Sequence, residues 1–245
     1  MKEIINGLWI GRSLTLMEQL SIASFLQNGY EYHLYCYDEM ANVPAGTILR
    51  DAVEILPASE IFYYQQGEGK GSVAAFANLF RYKLLLEKGG WWADTDMVCL
   101  RPFDFVEPIV FASERTDIAV QTANAILKLP RGHAVARLCY EAAKRENRAK
   151  LTWGKTGPFL IDRIIREKGL QHFIKAPDVF CPVNYLEWQS FLAVKSRPLE
   201  QLITNESRAV HLWHEMWRRA GIKWETAGAD ATPFAELLRK YGVQR

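Results

Sequence analysis

The chain has 245 residues, of which 49% are hydrophobic and 24% are charged, and its formal net charge at pH 7 is +2. A chain of this length and composition can bury a large apolar core, which indicates a globular protein and excludes a disordered one. The small net charge also excludes the concentrated basic stripe of a typical nucleic-acid-binding protein, so we expect no nucleic-acid partner.

The four cysteines stand far apart and form no C-x-x-C pair. This spacing favours reduced core residues over a disulfide or zinc framework. The first residues carry no signal-peptide pattern, and no run of about 18 apolar residues predicts a membrane span. We therefore expect a cytoplasmic protein, with a bacterium as the simplest source.

The beginning of the chain alternates strands and helices. Residues 7–11 form an apolar run closed by glycine, which predicts a short strand and turn. Residues 14–27 have apolar positions at helical spacing and are followed by Asn-Gly, a helix stop signal. Residues 32–37 predict a second strand. Strand, helix, strand is the usual opening of an α/β domain.

A glycine-rich stretch at 67–72 precedes the strongest helical pattern of the chain. From Val73 to Leu84, apolar residues recur at the spacing of one buried helix face. Gly89 and Gly90 end this predicted helix, and residues 91–97 predict the next strand.

The remainder of the chain continues the alternation without repeats or a clear linker. We predict strands at 109–112, 118–120 and 209–213, and helices at 134–143, 159–165 and 233–241. The simplest interpretation is one α/β domain.

Basic residues gather in the last fifth of the chain. A solvated face is the usual explanation, and contact with the inner face of a membrane or with an anionic acceptor is the alternative. The residues concerned are Lys195, Arg197, Arg218, Arg219, Lys223, Arg239, Lys240 and Arg245.

The segment Asp94-Thr95-Asp96 follows a long predicted helix, a Gly-Gly pair and an aromatic pair. On a strand, residues i and i+2 point to the same side, so both carboxylates are expected to converge. Two converging carboxylates repel unless a cation lies between them, and hard ions such as Mg²⁺ or Mn²⁺ prefer such ligands. A solvated turn with two acids is the alternative, and the surrounding pattern favours a metal site.

The ordered run from 76 to 96 resembles the D-x-D sugar-binding region of glycosyltransferases, a family that includes initiating mannosyltransferases and α-1,4-galactosyltransferases. Segments at 7–11, 156–158 and 209–214 resemble this family's first strand, its T-G-P turn and its late A-x-H-x-W-N segment. The resemblance implies a GT-A-like single α/β domain, with a mixed, mostly parallel sheet flanked by helices. The nucleotide sugar is expected on the half at about 1–115, and the acceptor on the half at about 116–245.

The resemblance also implies roles for individual residues. Asp96 matches the main metal-binding carboxylate, and Asp94 matches the carboxylate that contacts the donor ribose and sugar as well as the metal. His211 matches a late residue that completes the metal site. Arg81 matches an arginine that faces the donor, and Trp9 lies where an aromatic residue adjoins the nucleotide base.

Structural roles are the alternatives for three of these residues: a satisfied strand histidine at 211, a surface salt bridge at 81 and core packing at 9. The sequence also departs from the family pattern. Asn78 stands where an aspartate usually contacts the donor-sugar hydroxyls, and an amide can still donate and accept hydrogen bonds there. Trp92 replaces a tyrosine, and His214 replaces an asparagine.

The reaction implied by the resemblance is retaining transfer of a hexose, with a UDP-hexose as the first choice of donor, to a saccharide or glycolipid acceptor in polysaccharide biosynthesis. Mn²⁺ or Mg²⁺ would stabilise the leaving diphosphate. In a front-face route a phosphate oxygen takes the acceptor's proton, whereas double displacement needs a carboxylate, for which Glu114 is a candidate. Asn124 is a candidate for contact with the sugar or the acceptor. A plain surface position is the alternative for both.

Three other classes of protein share parts of these patterns. A P-loop nucleotide hydrolase would need Gly-Lys followed directly by Ser or Thr, and Gly71 interrupts that order in the stretch 67–72. A metal-dependent nucleotidyltransferase would need a basic glycine-rich N-terminal loop. A non-catalytic nucleotide-sugar-binding protein on the same fold is not expected to keep both Asp94 and Asp96. The sequence carries no indication of an oligomeric state.

Overall fold

The computed structural model describes residues 2–192, 198–222 and 231–244. These residues form eight strands and eight α-helices, with short 3-10 turns between them. The strands are β1 (Ile4–Trp9), β2 (Glu31–Cys36), β3 (Ile48–Asp51), β4 (Gly90–Ala93), β5 (Met97–Cys99), β6 (Val110–Arg115), β7 (Val120–Leu129) and β8 (Ala209–His211). The helices are α1 (Leu16–Gln27), α2 (Ala74–Glu87), α3 (Ala134–Arg145), α4 (Pro158–Glu167), α5 (Pro177–Phe180), α6 (Leu199–Leu202), α7 (His214–Arg219) and α8 (Pro233–Lys240).

Six strands form one sheet in the order β3-β2-β1-β4-β7-β6. The first four are parallel to one another, and β7 runs antiparallel to both of its neighbours. Strands β5 and β8 form a separate antiparallel pair. The predicted mixed, mostly parallel α/β sheet is therefore confirmed. The carboxyl ends of β1, β4 and β6 meet at one edge, where open α/β sheets usually bind ligands.

Helices cover both faces of the large sheet, so its central strands are buried on both sides. One core packs α1, the small sheet and α8 against the first face, and the other packs α2, α3 and α4 against the second. Strand β4 shows the alternation directly. Trp91 is buried in the first core and Trp92 in the second, as expected for neighbours on a strand.

A capping box fixes the start of α1. The Thr15 N–H donates to Glu18 Oε2 at 2.7 Å, and the Thr15 hydroxyl caps the first turn. This arrangement explains why the helix begins at Leu16, two residues after its predicted start. It also buries the Glu18 side chain completely, next to the small sheet.

Several predicted boundaries are wrong. The single strand expected at 91–97 is divided into β4 and β5, which belong to different sheets. β1 begins earlier than residue 7, and the strand expected at 118–120 is the ten-residue β7. The exposed edge strand β3 was not predicted, because it has no alternating apolar face. The four longer predicted helices after residue 72 are confirmed as α2, α3, α4 and α8, with small shifts of their ends.

Across the part of the chain that the structure describes, no helix combines the length and the apolar character needed to cross a bilayer. Of the late basic residues, four lie outside the described ranges: Lys195, Arg197, Lys223 and Arg245. Arg218 and Arg219, in contrast, are placed and both pair with Glu215.

Candidate active site

The Asp94-Thr95-Asp96 segment forms a turn between the two sheets. The Met97 N–H donates to the Asp94 carbonyl at 3.0 Å and closes the turn. The Asp94 N–H donates to Ala125 of β7 at 2.8 Å, whereas the Asp96 carbonyl accepts from the Leu212 N–H at 3.0 Å. Asp94 is thus tied to the large sheet and Asp96 to the small one. Both aspartates therefore reach the cavity from a turn and not from neighbouring positions on one strand, as was expected.

A cavity of about 610 Å³ opens at the carboxyl ends of β1, β4 and β6. Its volume lies in the range of small-molecule and cofactor pockets, about 300–1,000 Å³. Every residue that the sequence singled out as a candidate lines it. These residues are Trp9, Asn78, Arg81, Trp92, Asp94, Asp96, Glu114, Asn124 and His211.

Asp96 is held by the segment that follows β8. Its Oδ2 lies 3.1 Å from His211 Nε2 and accepts the His214 backbone N–H at 2.9 Å. Burial favours the neutral acid, yet the neighbouring histidine charge and these hydrogen bonds lower the pKa of Asp96 below its usual value. Burial likewise opposes a charged His211, and the Asp96 carboxylate nevertheless raises the pKa of that imidazole well above its usual value.

The spacing of this pair suits a divalent cation. Two neighbouring ligands of an octahedral ion with bonds of 2.0–2.1 Å lie about 3 Å apart, close to the 3.1 Å between Asp96 Oδ2 and His211 Nε2. Within the described ranges, however, no three acidic, histidine or cysteine side chains form a complete cluster of metal ligands. A cation at Asp96 and His211 would therefore need further ligands from water or from a bound substrate.

Asp94 is held by the opposite wall of the cavity. Arg81 Nη2 lies 2.9 Å from Asp94 Oδ1, and the Trp92 indole N–H donates to the same oxygen at 2.8 Å. The guanidinium also donates to the Asn124 carbonyl and lies over the Trp92 ring, 5.0 Å from its centroid. Burial raises the pKa of Asp94, and the Arg81 charge partly offsets this effect. Arg81 thus orients Asp94 and is itself held in place by its contacts with Asp94, Asn124 and Trp92.

Asn78 and Asn124 form a buried amide pair. The Asn124 amide donates to Asn78 Oδ1 at 2.8 Å, and the Asn78 amide donates to the Thr156 hydroxyl at 3.3 Å. A Cβ atom at Gly157 would lie 3.0 Å from Asn78 Nδ2, so the backbone of the T-G-P turn approaches the pair closely. This contact explains the glycine between Thr156 and Pro158, which begins α4.

Glu114 lies at the end of β6, near the mouth of the cavity. Its carboxylate accepts a hydrogen bond from Gln121 on β7 at 2.8 Å. Burial raises the pKa of Glu114, and the Gln121 amide partly offsets this effect. A free carboxylate is therefore less favoured here than at an exposed glutamate.

Trp9 stands at the other end of the cavity. Its indole N–H donates to the Ser13 carbonyl at 2.9 Å, and its ring is nearly parallel to that of His214 with centroids 6.2 Å apart. The buried Glu18 carboxylate lies 3.6 Å from His214 Nδ1. This wall is therefore aromatic and held by an interaction from α1.

Sequence reasoning missed the roles of Trp213 and His214. Among the described residues other than glycine, Trp213 alone has a positive φ, 61°, and this left-handed backbone precedes the His214 N–H that reaches Asp96. Its ring packs on His211 with a centroid distance of 3.8 Å. Strained backbone of this kind is concentrated at functional sites. The H-x-W-H segment was the one signal that could have indicated it.

Comparison with family models agrees with this geometry. The glycosyltransferase sugar-binding region containing the DXD motif matches residues 19–115, and the alpha 1,4-glycosyltransferase conserved region matches residues 128–241. The chain belongs to the DXD-containing glycosyltransferases. Members of this family generally use a divalent metal ion and a nucleotide-sugar donor. The two matches fall on either side of the β6–β7 turn and together span most of this glycosyltransferase.

The chain is similar to several solved structures. PaToxG glycosyltransferase is 16% identical over 68% of this chain and 69% of its own, with a TM-score of 0.51, which shows a shared fold. A glycosyltransferase GlyE from Streptococcus pneumoniae is 12% identical over 98% of this chain and 63% of its own, with a TM-score of 0.43. A structure described as a transferase mutant is 11% identical over 71% of this chain and 91% of its own, with a TM-score of 0.47. No curated protein matches the sequence.

Proposed function

We propose that this glycosyltransferase moves a hexose from a nucleotide-diphosphate sugar, with a UDP-hexose as the first choice, to a saccharide or glycolipid acceptor with retention of configuration. Mn²⁺ or Mg²⁺ would be held by Asp96 and His211, with Asp94 beside them. The observation that carries the proposal is the Asp96 carboxylate, which faces a large cavity and is paired with His211 at 3.1 Å. When bound, the cation supplies Lewis acidity that stabilises the leaving diphosphate.

The protein groups divide the work of binding the donor. Trp9 offers a flat aromatic face for the base, where stacking contributes about 1–3 kcal/mol. Arg81 and Trp92 hold the Asp94 carboxylate in one orientation. In that orientation it can accept hydrogen bonds from hydroxyl groups of the ribose and the sugar. Asn78 and Asn124 line the wall next to it and offer amide contacts to the sugar.

The surroundings of Glu114 favour the front-face route. A nucleophilic carboxylate must present a free oxygen to the anomeric carbon, and the Gln121 amide already occupies one oxygen of Glu114. In the front-face route the acceptor oxygen bonds to the anomeric carbon, the bond from that carbon to the phosphate oxygen breaks, and a leaving phosphate oxygen takes the acceptor's proton. Glu114 then contacts the acceptor and forms no covalent intermediate.

The test is release of nucleotide from a panel of UDP- and GDP-sugars with Mn²⁺, with EDTA, and in the variants Asp96→Ala and Asp104→Ala. Asp104 is a matched exposed aspartate that pairs with Arg208 far from the cavity lining. We expect one donor to be consumed, with loss of activity in EDTA and in Asp96→Ala alone. Absence of nucleotide binding by calorimetry across the whole panel would refute the proposal. Tight binding without turnover, with acceptors present, would favour a non-catalytic sugar-binding protein.

A further inference from the structure

Four residues that line the cavity have large, exposed apolar side chains, and we call the part of the cavity that they line its mouth. Ile118 is 89% exposed, Phe159 59%, Tyr63 44% and Trp153 37%. Scattered exposed apolar residues need no explanation, but a group of them in the lining of a cavity marks a binding surface. The four residues come from the β6–β7 turn, the start of α4 and two loops, so the fold gathers them at this one place.

Phe159 and Trp153 both pack against neighbouring residues of the chain. Phe159 lies against the backbone of Gly154, where an added Cβ would meet the ring at 2.9 Å and where φ is +79°. Trp153 packs against Tyr64, with centroids 5.4 Å apart, and carries the Arg219 guanidinium 4.6 Å from its ring. The face of an aromatic ring carries the negative part of its quadrupole and therefore attracts C–H groups. A ring that is already held in place by packing loses little conformational entropy when it binds them.

The charges around the cavity narrow the choice of ligand. Each of the five basic side chains in its lining lies within 4.0 Å of a carboxylate. These residues are Arg81, His211, His214, Arg218 and Arg219. At the mouth, in contrast, Glu114 and Asp117 form no salt bridge within the described part of the chain. The exposed Asp117 carboxylate therefore disfavours an anion at the mouth, and both acidic side chains can accept hydrogen bonds from hydroxyl groups.

We propose that this mouth is the acceptor subsite and that it selects an uncharged pyranose, whose ring packs on Phe159 and whose hydroxyls donate to Asp117, over an anionic sugar. An alkyl chain would use the apolar rim alone and would gain nothing from the two carboxylates. The proposal rests on the proposed glycosyl transfer, and it adds the class of acceptor to it.

The experiment compares acceptor pairs that differ in one charge: methyl galactoside with methyl galacturonide, and methyl glucoside with methyl glucuronide. Transfer is measured with the donor found above, and hydrolysis without acceptor is measured in parallel. We expect a neutral glycoside to be used about fivefold better than its uronide, because two like charges about 4 Å apart repel each other even in water. Asp117→Lys should reduce that preference by about tenfold or more.

Phe159→Ala should raise the acceptor KM by about two- to tenfold, the range for one aromatic contact. Leu186→Ala is the matched control, because Leu186 is 55% exposed and lies outside the cavity lining. Equal use of neutral and anionic sugars overturns the proposal. An unchanged acceptor KM in Phe159→Ala overturns it as well. So does transfer to dodecyl glycosides alone, if Phe159→Ala abolishes that transfer, because the apolar rim would then bind an alkyl chain.

If none of the four glycosides is glycosylated, saturation-transfer NMR of the same pairs decides, and failure of the neutral members to bind overturns the proposal. Donor hydrolysis separates the two proposals. Metal-dependent hydrolysis that persists while acceptor selection fails leaves the glycosyltransferase function standing. Absence of donor binding counts against that function itself.

Discussion

Replacement of Arg81 by alanine tests whether the Arg81–Asp94 pair supports the fold as well as the site. The Arg81 side chain is 4% exposed and that of Asp94 25%, and their closest atoms lie 2.9 Å apart. Removal of one partner of a buried pair costs about 3–5 kcal/mol, because the remaining charge is left without compensation. Since Asp94 is partly exposed, we expect a loss at the lower end, about 3 kcal/mol.

For a chain of this size a loss of about 3 kcal/mol lowers Tm by about 6–12 °C. Arg163→Ala is the matched control. Its partner Glu167 lies 3.0 Å away, a similar distance, but the two side chains are 57% and 53% exposed. Such a surface pair contributes about 0–1 kcal/mol. Urea unfolding at pH 7, with Tm as a second readout, compares the two variants.

The pH dependence provides an independent check of the same reasoning. Burial already raises the pKa of Asp94 in the folded protein, and the loss of Arg81 removes the charge that opposes this effect. The folded variant then binds a proton more readily than the unfolded chain, so its stability rises relative to wild type as pH falls from 7 to 5. A loss equal to that of Arg163→Ala, or one that does not shrink at pH 5, would refute the argument.

Three further predictions concern ligand binding. Trp9→Ala should weaken nucleotide binding by about 5- to 150-fold, the equivalent of 1–3 kcal/mol of stacking; calorimetry measures this, and an unchanged Kd would place the base elsewhere. Gly157→Ala should displace Asn78, because the added Cβ lies 3.0 Å from its amide nitrogen. We expect the donor KM to rise while the free energy of unfolding stays within about 1 kcal/mol of wild type. An unchanged donor KM would exclude Asn78 from the donor site. Mn²⁺ affinity should rise with pH by up to about tenfold per pH unit until the pKa of His211 is passed. The reason is that Asp96 raises that pKa, whereas a metal ion binds the neutral imidazole ring. An EPR titration with a flat profile from pH 6 to 8 would contradict the assignment of His211.

The sequence predicted most of what local patterns control. Helix α2 followed from its apolar spacing, and the order of strands and helices followed from their alternation. Strand β7 was largely missed, because its first half is polar where it lines the cavity at Gln121 and Asn124. The break between β4 and β5 was also missed, since the division depends on pairing with different partners that lie far away in the chain.

Long-range contacts explain the remaining differences at the site. The candidate residues were found from their pattern, but what each side chain contacts depends on residues distant in the chain. Arg81 was expected to face the donor, and it contacts Asp94 and Asn124. The left-handed backbone at Trp213 has no local cause in the sequence, because tryptophan rarely adopts it. The tertiary structure around β8 imposes it.

The turn that carries the two aspartates has a mechanical consequence. Asp94 moves with the large sheet, through Ala125 and Arg81, whereas Asp96 moves with the small sheet, through Leu212 and His211. A cation held by both carboxylates would therefore join the two sheets through the turn between β4 and β5.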